Sequence, residues 1–164
     1  MDRKAIKKWL LYSGLGLAAM LLQEHLFSRL RVFNVHPMLG GVLTSVVALF
    51  EGGTGGAVAG LFMGIMQDAS VAGIEGFYSI VYMVCGMAAG MICEYMFRRS
   101  LLTAFLWSLI ITSITTLLYF LLFFLFTGKA GISALWLTAL PEILYSAFMT
   151  PIVYFPARFI AGSR

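Results

Sequence analysis

Along this 164-residue chain, hydrophobic residues do not alternate with polar ones; they run together. Apolar stretches cover residues 9–27, 38–50, 56–67, 73–97, 101–127 and 134–160, separated by polar or glycine-rich breaks. Such runs predict helices that cross a lipid bilayer, for which about 20 residues suffice. The second and third runs are short. As a helix, residues 38–50 rise only about 20 Å against a hydrocarbon core of about 30 Å. They must tilt, thin the bilayer or form a hairpin turning at "EGGTGG", Glu51 to Gly56. A deep turn would have to be surrounded by protein, because each unsatisfied backbone group in lipid costs several kcal/mol. The last run divides into "GISALWLTAL" and a helix opening at Pro141, with Glu142 in its first turn and bends expected at Pro151 and Pro156.

Composition strengthens this picture. The chain is 61% hydrophobic and only 11% charged, with a mean hydropathy of +0.95. That leaves too little polar surface to cover a soluble globule. One transmembrane domain over residues 1–164 is the expected organisation. The net charge of +4 could suggest nucleic acid, but the basic residues cluster at the ends of apolar runs, which is a topology signal. With a cytoplasmic N-terminus, Arg3, Lys4, Lys7, Lys8, Arg98, Arg99, Arg158 and Arg164 lie inside and only Arg29, Arg31 and Lys129 outside. Both termini are therefore expected in the cytoplasm. The first run has the basic head and apolar body of a signal peptide but no persuasive cleavage site, so it is read as a retained first helix.

Within the apolar runs, Gly56, Gly60 and Gly64 recur four residues apart and lead to Asp68. That spacing makes a smooth helical strip against which another backbone can pack closely. Gly86 and Gly90 repeat it in the next run, followed by Glu94, four residues before Arg98 and suited to an ion pair. Asp68 is expected to cap the turn "DASVAG" or to pair with Arg29 or Arg31. Glu24, His25, His36, Glu75 and Glu142 carry no pattern of a metal or acid–base centre. Cys85 and Cys93 read as small buried hydrophobes, Met83, Met87 and Met91 as packing material, and Trp9, Trp107 and Trp136 as interfacial anchors. No phosphate loop, nucleophile elbow or zinc-protease motif occurs, so no catalytic, metal or cofactor-binding residue is expected, and an intramembrane enzyme is disfavoured.

The stretch from His36 to Tyr82 resembles the bacterial rod shape-determining family MreD, which shows a proline before a short apolar segment, then glycine-x3-glycine-x3-aspartate, then further glycines before a long helix. The matching positions are Pro37, Gly60, Gly64, Asp68, Gly73 and Gly76. The resemblance implies an all-α integral membrane protein, a compact bundle of about six transmembrane segments. It is similar to the substrate-binding subunits of energy-coupling factor transporters. It also implies a non-enzymatic scaffold of the cell-elongation machinery in the bacterial cytoplasmic membrane. The implied partners are an MreC-like single-span protein, the RodA and penicillin-binding synthases, the MreB filament and the lipid bilayer, with no nucleic acid. Candidate interaction residues are Asp68, Arg29, Arg31, Gly73 and Gly76. The alternative is a solute-binding subunit of an energy-coupling factor vitamin transporter, with Glu24, His25, Asp68, Glu75 and Glu142 as the polar groups available to a pocket.

Overall fold

A computed structural model describes residues 3–23, 38–70, 75–96, 100–127 and 141–162. Among them the fold is helical throughout, without strands: α1 (Arg3–Leu22), α2 (Leu39–Ser70), α3 (Phe77–Met96), α4 (Leu101–Thr127), α5 (residues 141–148) and α6 (Thr150–Gly162). Four helical stretches are long and apolar enough to cross a membrane: α2, α3, α4 and the unit Pro141–Gly162 formed by α5 and α6. The last is interrupted at Met149, whose N–H approaches the carbonyls of both Tyr145 and Ser146 at 3.2 Å. Two residues on, Pro151 has no N–H with which to continue the ladder.

The α2 helix does not run straight. Gly52 has φ 78° and ψ −167°, a conformation that strains any residue with a Cβ. There the chain folds back. In a straight helix residues 40 and 67 would stand about 40 Å apart, yet a Cβ built on Gly40 would lie 3.3 Å from Gln67 Oε1. Similarly, a Cβ on Gly56 would meet the Ala48 Cβ at 2.7 Å. The element is thus a hairpin of two antiparallel arms, residues 39–51 and 53–70. Where a six-residue break at "EGGTGG" was expected, one residue makes the turn and Gly53 to Gly56 are already helical.

The first arm forms the centre of the protein. Every residue from Leu39 to Phe50 is buried, and α1, α3, α4 and α6 all pack on the hairpin. A helix with no charged residue along this stretch has no polar face to turn outward, so enclosure on all sides suits it. Its two hydroxyls bond within the arm: Thr44 Oγ1 donates to the Gly40 carbonyl (2.8 Å) and Ser45 Oγ to that of Val42 (2.7 Å). On one side Gly41 approaches Ile111 and Thr112 of α4. On another, the rings of Phe50 and Tyr154 lie 5.5 Å apart. Lys8, the Gly52 turn and Glu94 mark one end of the bundle; Gln23, Met38, Asp68 and Gly76 mark the other.

Candidate functional site

Among the described helices α2 and α3 share the most extensive contact, and glycines of the second arm set its distance. A Cβ on Gly56 would collide with the backbone of Gly86, its carbonyl carbon lying at 2.9 Å. One on Gly60 would lie 2.6 Å from the Tyr82 carbonyl carbon, and one on Gly64 2.6 Å from the Ser79 nitrogen. From the α3 side, a Cβ on Gly90 would lie 2.6 Å from the Gly53 nitrogen. Each four-residue step along the arm is thus matched by about four residues back along α3, as antiparallel helices require. The contact is backbone against backbone over three to four turns, an approach that only missing side chains permit.

This closeness delivers Asp68 to the start of α3. Gly76 occupies the capping position there, with φ 79° and its carbonyl accepting from Ile80 N–H at 3.2 Å. A glycine has no side chain with which to satisfy the first free amides of the helix. Asp68 supplies the missing acceptor from the neighbouring helix. Tyr78 N–H donates to Oδ1 and Ser79 N–H to Oδ2, each at 3.0 Å, and the Ser79 hydroxyl also donates to Oδ2. Tyr78 and Ser79 are the second and third helical residues, whose amides a capping side chain normally serves. The carboxylate also stands at the positive end of the helix dipole. The cap therefore serves the next helix, which the glycine seam brings close to Asp68, while residues 71–73 of the expected "DASVAG" turn lie outside the described residues.

Two further groups were not singled out as sites from sequence. At the Lys8 end, Lys8 Nζ lies 2.6 Å from Glu51 Oε1 and 2.7 Å from Oε2, and the Tyr12 hydroxyl donates to Oε1 at 2.9 Å. Lys8 and Glu51 are largely sheltered, so the first helix is pinned to the hairpin tip by a charge pair in a low-dielectric setting. The signal was available: these charges border two apolar runs. At the other end, Gln67 is buried with its Oε1 unpartnered among the described residues, beside Gly40, which Tyr82 also approaches. Nearby, the Gln23 Oε1 accepts from Leu39 N–H (3.0 Å), and the Ser146 Oγ from Met38 N–H (2.8 Å), holding α1 and α5 to the start of the hairpin. Glu142 lies within electrostatic range of Tyr78 and Tyr82. Tyr78 stacks on Tyr119 with ring centres 5.9 Å apart.

Of the residues selected from sequence, Gly56, Gly60, Gly64, Gly86 and Gly90 lie in the seam, Asp68 makes the cap, and Gly76 forms the turn under it. Glu75 is exposed, and Glu94 lies beside Gly52. Met83, Met87 and Met91 face largely outward, although Met91 also touches Gly53. Arg29, Arg31, Gly73, Glu24, His25, His36, Pro37 and Arg98 lie outside the described residues, and with them the expected pairings of Asp68 with arginine and of Glu94 with Arg98. Among the described residues no three of His, Cys, Asp and Glu gather as a metal-holding group. Comparison with protein-family models, curated proteins and solved structures returns no match to this chain.

Proposed function

We propose that this protein is a non-enzymatic membrane scaffold of the bacterial cell-elongation complex, a six-segment bundle with both termini in the cytoplasm that binds an MreC-like single-span protein. The observation that carries the reading is the common fate of Gly60, Gly64, Asp68 and Gly76. These four positions of the MreD resemblance form one unit, in which two glycines seat α3 and the carboxylate and the last glycine begin it. Chemistry-bearing residues spent on positioning helices suit a protein whose work is to present a surface. On this reading the two hairpin arms, α1, α3, α4 and α5–α6 are each taken as one segment. The wall synthases and the MreB filament would be reached through the partner.

A second reading, a solute-binding transport subunit, draws support from Gln67, whose buried carbonyl oxygen lacks a partner among the described residues, and from Glu142 within electrostatic range of Tyr78 and Tyr82. Polar groups that converge on a cavity are what orients a small molecule. Purification of the tagged protein from native bacterial membranes, followed by mass spectrometry of proteins and of small molecules, separates the two. The scaffold reading expects a stoichiometric single-span protein with cell-wall synthases. A stoichiometric vitamin with an ATPase module would overturn it.

A further inference from the structure

Between α1 and the second arm of α2 lies a cleft of about 390 Å³, lined by Ile6, Trp9, Leu10 and Ser13 on one wall and by Val58 and Phe62 on the other. Its floor reaches the central arm at Val47, which is otherwise fully buried. We propose that this cleft holds one acyl chain of an anionic glycerophospholipid, whose phosphate sits at the basic start of α1.

The dimensions choose between hydrocarbon and protein. Along α1 the lining runs from Ile6 to Ser13, a rise of about 10 Å. That is about two turns of helix, whereas a partner helix crossing the bilayer would need a groove about 30 Å long. A cleft this short, about 390 Å³ in volume, suits a single flexible chain. Its walls are almost wholly apolar, and the Tyr12 hydroxyl at its edge is committed to Glu51.

Charge chooses the headgroup. The cleft begins one turn from the end of α1 that carries Arg3, Lys4, Lys7 and Lys8. Lys8 is neutralised by Glu51, whereas Lys7 is exposed and makes no ion pair among the described residues. Cations at a helix end in the interfacial region attract anionic lipid, and their effects accumulate. A chain entering from that side places its phosphate beside them, with Trp9 at the depth where an indole ring favours the interface.

Trp9 makes the proposal measurable. Protein carrying Trp107→Phe and Trp136→Phe, with Trp9 as its sole tryptophan, is reconstituted into phosphatidylcholine vesicles. These contain equal mole fractions of either brominated phosphatidylglycerol or brominated phosphatidylcholine. Brominated phosphatidylglycerol is expected to quench Trp9 several-fold more strongly. Lys4→Gln with Lys7→Gln should abolish that preference, and Ser13→Phe, which fills the cleft from its open side, should weaken quenching by both lipids. Equal quenching in the parent, a preference that survives the lysine substitutions, or quenching unchanged by Ser13→Phe would each overturn the proposal. So would shielding of Trp9 from both lipids, which would place a protein segment in the cleft. Lipid counting by native mass spectrometry on the unsubstituted protein gives an independent reading: retained phosphatidylglycerol supports the site, and indifference between the two lipids refutes it.

Discussion

Replacing Gly60 by alanine tests the seam with the smallest possible side chain. The new methyl would overlap the Tyr82 carbonyl oxygen and lie 2.6 Å from its carbon, whereas ordinary contact begins at 3.4 Å, so α3 must retreat by at least about 0.8 Å. Backbone cannot rotate aside as a flexible side chain would. The retreat separates Gly56 from Gly86 and Gly64 from Ser79, giving up contacts along the seam, and overpacking of this kind costs about 1–3 kcal/mol. It also lengthens the bonds from Tyr78 and Ser79 to Asp68 from 3.0 Å toward 3.8 Å, beyond hydrogen-bonding range. Loss of a cap adds about 0.5–2 kcal/mol. Together these predict a loss of about 2–5 kcal/mol, which for a protein of this size corresponds to a fall of roughly 5–15 °C in thermal midpoint. Gly14→Ala is the control, because a Cβ there meets nothing within 4 Å. It should be neutral or slightly stabilising, since alanine favours helix over glycine. The assay is the temperature at which half of the detergent-solubilised protein still elutes as a monodisperse peak. Equal midpoints for Gly60→Ala and Gly14→Ala would refute the seam as a close-packing device.

Asp68→Asn should cost about 1–2 kcal/mol in the same assay, because both carboxylate oxygens accept bonds and an amide turns its NH₂ toward one pair of donors; Ser79→Ala should cost less. A thermal midpoint for Asp68→Asn equal to the parent's would dismiss the two-oxygen cap. Lys8→Met and Glu51→Gln should each destabilise by about 1–2 kcal/mol, and the double variant by less than the sum, since each single change strands a sheltered partner. Strict additivity in that cycle would show the pair to be idle. In a background lacking Cys85 and Cys93, Thr54→Cys at the hairpin tip should be shielded from an impermeant thiol reagent outside intact cells, whereas Glu75→Cys and Lys129→Cys should label. Labelling of Thr54→Cys from outside would reverse the proposed topology.

Much of the helix layout was legible because membrane helices declare themselves by composition. Residues 101–127 were read as one run and form one helix of those bounds, having no polar break to confuse the reading. The first helix begins at Arg3, ahead of the apolar run at residue 9, since Lys and Arg are good helix formers and a hydropathy pattern cannot see them. The glycine spacing pointed to a face but not to its partner; that Gly60 meets Tyr82 is fixed only by the antiparallel packing of the second arm on α3. Asp68 was visible as an anomaly in an apolar stretch. What it caps was not visible, because the donors lie ten and eleven residues on and reach it only after the arms have packed. Lys8 and Glu51 are 43 residues apart, and only the folded hairpin brings them together.

The enclosed arm at residues 39–50 also dictates an order of events during synthesis. It emerges from the ribosome before α3, α4 and α6, the helices that will wall it in, so it must first stand in lipid or beside the insertion machinery. Bonding Thr44 to the Gly40 carbonyl and Ser45 to that of Val42, within the arm itself, lets it wait there without exposing an unsatisfied hydroxyl to hydrocarbon. The middle of this protein is thus made early and closed late. A nascent chain halted before Tyr154 would have the arm walled by α1, α3 and α4 but would lack the ring that packs on Phe50.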